Sequence, residues 1–182
     1  YTLPAGTVNI SGYVGQSTYP PYTALFIQGE SAGGVTLDFV TNSVLWWFTF
    51  NHCHIRLLNL NVNSGNSHQP FIFNSCQQVY LDSTVNISKN MTAGGNWNYC
   101  LSATGVEYFS SYANVTYDNA SYGGYGGCFV LYNTYGAVGG TFTKASGSRI
   151  SASAIAVADR SQISVSATIN NFVYGITVGQ NH

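Results

Sequence analysis

Along the chain no stretch keeps an apolar period of 3.6 residues, and glycines and β-branched residues interrupt every candidate helix. Apolar and polar residues alternate instead at a period of two, the pattern of strands that bury one face. One phrase nearly repeats: residues 48–53 read FTFNHC and residues 71–76 read FIFNSC. With Phe48 taken as the start of a turn, equivalent starts fall at Leu25, Phe48, Phe71, Leu101, Phe129, Ile155 and Ile176, separated by 23, 23, 30, 28, 26 and 21 residues. Two residues further on stand Ile27, Phe50, Phe73, Ala103, Leu131, Val157 and Val178. Ten further on come Val35, Leu58, Leu81, Ser111, Gly139 and Val165, and fourteen further on Phe39, Val62, Val85, Val115, Thr143 and Ile169. These columns predict at least two short strands per turn.

Strand-only repeats of this length, drifting in size, predict a solenoid in which each turn touches only its neighbours. The expected fold class is all-β, a parallel β-helix of about seven turns, a rod on the order of 35 Å long at ~4.8 Å per turn. Asn51 then stacks on Asn74, and Asn61, Thr84, Asn114 and Thr168 form a polar column. Cys53 lies over Cys76, and Cys100 over Cys128, with Cα atoms about 4.8 Å apart. Parallel, stacked Cβ vectors fit a disulfide dihedral badly, so four reduced thiols are expected. A β-sandwich would call for Asn-Gly or Asp-Gly hairpins, and the chain has neither.

Composition narrows the functional classes. The 182 residues are 45% hydrophobic, enough for one core, so residues 1–182 read as a single domain. Only 6% are charged, against about 25% in ordinary domains, which leaves a surface of Ser, Thr, Asn, Gly and Tyr. Five Lys plus Arg against six Asp plus Glu offer no basic patch for nucleic acid or for an anionic membrane. No apolar run approaches the ~18 residues of a spanning helix, so no membrane insertion is expected. Neither a CxxC pair nor a Cys/His spacing points to a metal or cofactor. The sequons at Asn9, Asn86, Asn90, Asn114 and Asn119 are ones that a chain rich in Asn, Ser and Thr generates by chance. A last turn opening at Ile176, six residues before the last, suggests a piece of a longer chain.

Long insertions recur at one place in the turn: NSGNSHQP, NISKNMTAGGNWNYC and TYDNASYGGYGGC. They should project side by side from one edge and carry Trp97, Tyr99, Tyr117, Tyr122 and Tyr125 among amides. Flat rings beside amides suit a sugar, which stacks its C–H face and hydrogen-bonds its hydroxyls; packing of the rings over the rod or against another subunit is the alternative. A second strip, four and six residues into each turn, holds His52 and His54, Ser75 and Gln77, Gly105 and Glu107, Asn133 and Tyr135, and Asp159 and Ser161. His54 and Gln77 join the carbohydrate-binding candidates. Glu107 and Asp159 are the weak catalytic candidates, two turns or about 10 Å apart, at the upper margin for an inverting carboxyl pair. The aromatic run VLWWFTF at 44–50 reads as a subunit interface or a strand covered by a loop, and Arg56 and Arg160 fall in otherwise inward columns.

LPAGTVNISG at 3–12 and NNFVYGITVG, which ends at Gly179, resemble the right-handed pectate-lyase-like β-helix superfamily, and within it bacteriophage tailspike and tail-fibre proteins. The resemblance implies a right-handed coil, a homotrimer in the virion tail and a bacterial surface glycan as partner. No catalytic motif of that family matches this chain residue by residue. Receptor binding without cleavage is therefore the leading expectation, with an endoglycosidase or lyase, or a bacterial surface adhesin, as rivals. Ice binding is set aside at this stage because loops would break flatness and Thr-x-Thr is not repeated turn after turn.

Overall fold

The computed structural model describes residues 1–9, 17–39, 48–65, 69–90, 98–118, 126–145 and 152–179. Every regular element among them is a strand, and the strands pair in parallel in one sheet of twelve and one of seven. The chain is a parallel β-solenoid of about five turns, fewer than the seven expected. Each regular turn carries three strands, within the at least two expected. The first stack contains Phe71–Asn74, Asn98–Thr104, Gly126–Tyr132, Ser153–Ala158 and Tyr174–Val178. The second contains Gln78–Leu81, Tyr108–Ser111, Tyr135–Val138 and Gln162–Val165, and Phe48–Leu58 is long enough to run through both stacks. The third runs from Gly6–Asn9 through Val35–Phe39, Leu60–Ser64, Asn86–Asn90, Asn114–Asp118 and Thr141–Lys144 to Thr168–Asn170.

The repeated phrase is one position on successive turns. Phe48 stands opposite Phe71, and Asn51 opposite Asn74; the column continues through Leu101, Phe129, Ile155 and Ile176. Leu25 does not belong to it: a register shift between Thr18 and Thr23 places Leu25 opposite Ile55, in the second stack. The ten-residue column departs at three places: Leu57, not Leu58, faces Leu81, Val138, not Gly139, faces Val165, and Val35 lies in the third stack opposite Leu60, its place taken by Ile27 opposite Leu57. The cause is the corner between the first two stacks. Two residues, His52 and Cys53, connect the paired Asn51 and His54, whereas Ser75, Cys76 and Gln77 connect their partners Asn74 and Gln78. In the third stack the inward column runs Leu37, Val62, Ile87, Val115, Phe142 and Ile169, so Phe39, Val85 and Thr143 were each misplaced.

That corner explains a polar column that spacing alone left without a purpose. His52, Ser75, Asn133 and Asp159 have φ of 55°, 49°, 44° and 55°, and Gly105 has 65°. The chain turns sharply there by entering the left-handed region, which Gly, Asn and Asp tolerate best. Inside, aromatic side chains interlock between turns: Phe50 stacks on Phe73 at 5.5 Å, and Phe129 meets Phe142 edge-on at 5.0 Å. All four cysteines are buried free thiols. Cys53 and Cys76 Sγ lie 3.9 Å apart, and the shared hydrogen bond together with burial holds the Cys53 thiol well above its ordinary pKa.

Candidate functional site

The strand ends that flank the long insertions, Ser64 and Phe71, Asn90 and Asn98, and Asp118 and Gly126, belong to the third stack and the first; residues 66–68, 91–97 and 119–125 between them lie outside the described residues. Trp97, Tyr122 and Tyr125 lie outside the described residues. Tyr99 is the second residue of the first-stack strand Asn98–Thr104 and is half-buried; burial and the neighbouring Tyr132 push its phenol up. Tyr117 requires correction. The strand Asn114–Asp118 continues through it with Val115 and Tyr117 inward, and Tyr117 is fully buried, so no glycan reaches it in this fold. It stands in an interior column between Lys89 and Lys144.

That column is chemically unusual. Lys89 is 0% exposed and its Nζ donates to the Tyr99 carbonyl at 3.1 Å. Burial pulls its ammonium down to about 8, while Cys100 and Cys128 act in the opposite direction. Burial also drives the Cys128 thiol up. The group sits just inside the insertion corner, where the last inward position of the third stack approaches the first.

The second stack presents a different surface. In its first outward column His54 faces Gln78, Gln78 faces Tyr108, and Tyr135 faces Gln162. Tyr108 and Tyr135 each precede the paired Phe109 and Gly136, which puts them on adjacent turns. They are 70% and 42% exposed. In the next outward column Phe26 faces Arg56 and Arg56 faces Tyr80, with the guanidinium 5.1 Å from the ring centroid. Tyr80 lies 6.2 Å from Tyr112, centroid to centroid, and its hydroxyl donates to Asp82 at 3.1 Å. Partial burial alone would raise Asp82, but hydrogen bonds from the Thr84 amide and hydroxyl and from Tyr80 outweigh it and hold the carboxyl low. Arg56 is therefore outward-facing and exposed, not inward as its column suggested.

Of the strip residues expected from sequence, His54 belongs to this surface, whereas Gln77 sits one residue earlier at the corner, with its Oε1 buried and no hydrogen-bond partner among the described residues. Glu107 occupies the equivalent corner one turn on and is exposed. Asp159 is exposed at a left-handed corner position, a backbone role that accounts for its residue type. Tyr108, Tyr80, Gln78 and Gln162 were missed because the extra corner residue shifts which side chain begins the second-stack strand; counting that corner separately in each turn would have found them. Among the described residues no three His, Cys, Asp or Glu side chains converge on a point that could hold a metal. Comparisons with protein-family models, curated proteins and solved structures find no match for this chain. The second-stack strip thus combines exposed rings, amides and a single guanidinium on a straight, rigid face.

Proposed function

We propose that the protein is a receptor-binding β-helix of the phage tailspike or tail-fibre kind that recognises bacterial surface polysaccharide along its second stack. The carrying observation is Tyr108 and Tyr135, exposed on adjacent turns and flanked in their own column by Gln78 and Gln162. Rings repeated at ~4.8 Å let an extended sugar chain lie across the turns, while amides and the Arg56 guanidinium take its hydroxyls or acidic groups. A rigid sheet holds these groups in place before the ligand arrives, which reduces the ordering cost of binding.

The reading favours recognition over cleavage, because Glu107 and Asp159 are both exposed at corners of turns two apart. Glycan arrays of bacterial surface polysaccharides and whole-cell binding test it. Tyr108→Ala and Tyr135→Ala should each weaken binding about tenfold, or ~1.4 kcal/mol, with unchanged thermal unfolding. Full binding by the double variant would reject the strip, and shortened polysaccharide chains after incubation would move the protein to the enzyme class.

A further inference from the structure

The third stack carries an outward array that the glycan reading does not use. Its first outward column holds Thr or Asn at every turn from Thr7 to Thr168, and its second holds Asn, Asp, Ser or Thr from Asn9 to Asn170. Every one of these side chains is exposed or half-buried. The register is continuous across all seven strands, with none of the shift seen beside Thr18. The two columns contain no aromatic ring, and Asp38 is their single charge. Neighbouring amides are locked to one another: Asn86 Nδ2 donates to Asn61 Oδ1 at 3.0 Å, and Asn114 Nδ2 to Asn86 Oδ1 at 3.3 Å.

From this array we infer an ice-binding face, whose ligand is the surface of crystalline water. The positions repeat at ~4.8 Å between turns and ~6.6 Å along each strand, so waters held between them repeat in two dimensions as well. A ligand that engages every position at once must itself be regular in two dimensions, as an ice surface is. A soluble glycan does not: it needs stacking rings or a concave site, and this face has neither. A nucleic acid or acidic surface needs cations, and none stands in either column. Each side chain contributes little by itself, and rigid multivalency supplies the affinity. Both sequence arguments against ice weigh less in the fold. The long insertions begin beyond Asn90 and Asp118, one outward position past the second column, and where Thr is missing Ser keeps the hydroxyl while Asn offers both donors and an acceptor.

Nanolitre osmometry of the whole chain tests the inference, with ice-crystal shape recorded. Wild type should show a gap between melting and freezing and faceted crystals. Ser88→Tyr with Thr116→Tyr, which face each other at the centre of the array and point to solvent, should reduce that gap at least about tenfold by preventing simultaneous engagement. Its thermal unfolding should match wild type, which separates loss of flatness from loss of fold. Tyr108→Ala, on the other face, should leave the gap unchanged, so failure of the glycan proposal and of this one are read independently. Round, unfaceted crystals with wild type, an undiminished gap in the double variant, or loss of polysaccharide binding instead of ice binding in that variant would each overturn it.

Discussion

Lys89 makes the solenoid's stability depend on pH in a direction that can be measured. Its ammonium is fully buried, with the Tyr99 carbonyl as acceptor at 3.1 Å, and its pKa falls from 10.5 to about 8. The unfolded chain therefore binds the proton more tightly than the folded one, and stability rises with pH between about 8 and 10.5. Below that window the full penalty of about 3 kcal/mol applies, at ~1.36 kcal/mol per unit. Between pH 7 and 9.5 the linkage relation yields a gain of about 2 kcal/mol. Two sets of groups oppose it: the Cys53 and Cys128 thiols, which are held high in the fold and titrate in the unfolded chain within the same window, and above about 10 the raised phenols of Tyr80, Tyr99 and Tyr132. The Lys89 contribution is therefore read as a difference between wild type and a Lys89 variant. Urea unfolding at pH 7, 8.5 and 9.5, extrapolated linearly, reads the slope directly. Lys89→Met keeps the aliphatic volume and removes the charge. It forgoes the hydrogen bond to the Tyr99 carbonyl, worth about 1 kcal/mol, so it should be the more stable protein at pH 7 by about 2 kcal/mol and lose most of that advantage by pH 9.5. A stability difference between the two proteins that stays constant from pH 7 to 9.5 would refute the reasoning.

Gly136 has φ 151°, and a Cβ there would sit 1.8 Å from the Phe109 carbonyl oxygen; Gly136→Ala should cost more than about 3 kcal/mol or prevent folding, whereas Gly6→Ala, with φ 138° and open space around it, should cost less than half of that in the same urea titration. Asp82 accepts from the Thr84 amide and hydroxyl at 3.1 and 3.0 Å, so its low-held carboxyl contributes stability above the usual carboxylate range and loses it as pH falls through its folded value; Asp82→Asn should flatten the acid limb of a pH 7 to 2.5 stability profile. Thiol titration should find four reactive groups in denaturant and almost none in the native protein, because all four cysteines are buried and free; a count near zero in denaturant would mean disulfides.

The solenoid was legible because its inward columns repeat in residue type: Phe48, Phe71, Leu101, Phe129, Ile155 and Ile176 are all large and apolar, and all prove to be one column. The register across the corner between the first two stacks was not legible, since that corner takes two residues at His52 and Cys53 and three at Ser75, Cys76 and Gln77. One residue reverses which face a strand side chain occupies. That slip sent Arg56 inward and hid Tyr80 and Tyr108, while a longer second corner at residues 82–85, against the single Asn59 one turn earlier, put Thr84 in place of Asn86 in the polar column; Thr84 instead accepts from the Asn59 backbone amide at 2.8 Å. Tyr117 was lost for a different reason. The strand Asn114–Asp118 extends into what composition marked as loop, and interior Lys89 and Lys144 broke the expectation that a buried column is apolar.

The same stacking accounts for the scarcity of charge. In a parallel solenoid, equivalent outward side chains recur every ~4.8 Å, and two like charges at that distance repel by about 0.9 kcal/mol even at the dielectric constant of water. A charged column through five turns would thus oppose folding by several kcal/mol, and an uncharged one does not. Among the described strands no two charged residues face each other. Asp38 lies between Asn9 and Asn63, Arg56 between Phe26 and Tyr80, and Asp118 opposite Asn90. Even the interior lysines are kept apart, with Tyr117 between Lys89 and Lys144. A charge content of 6% is then what a repeated register demands of its faces. It leaves Tyr, Gln, Asn and Thr as the groups with which those faces meet their ligands.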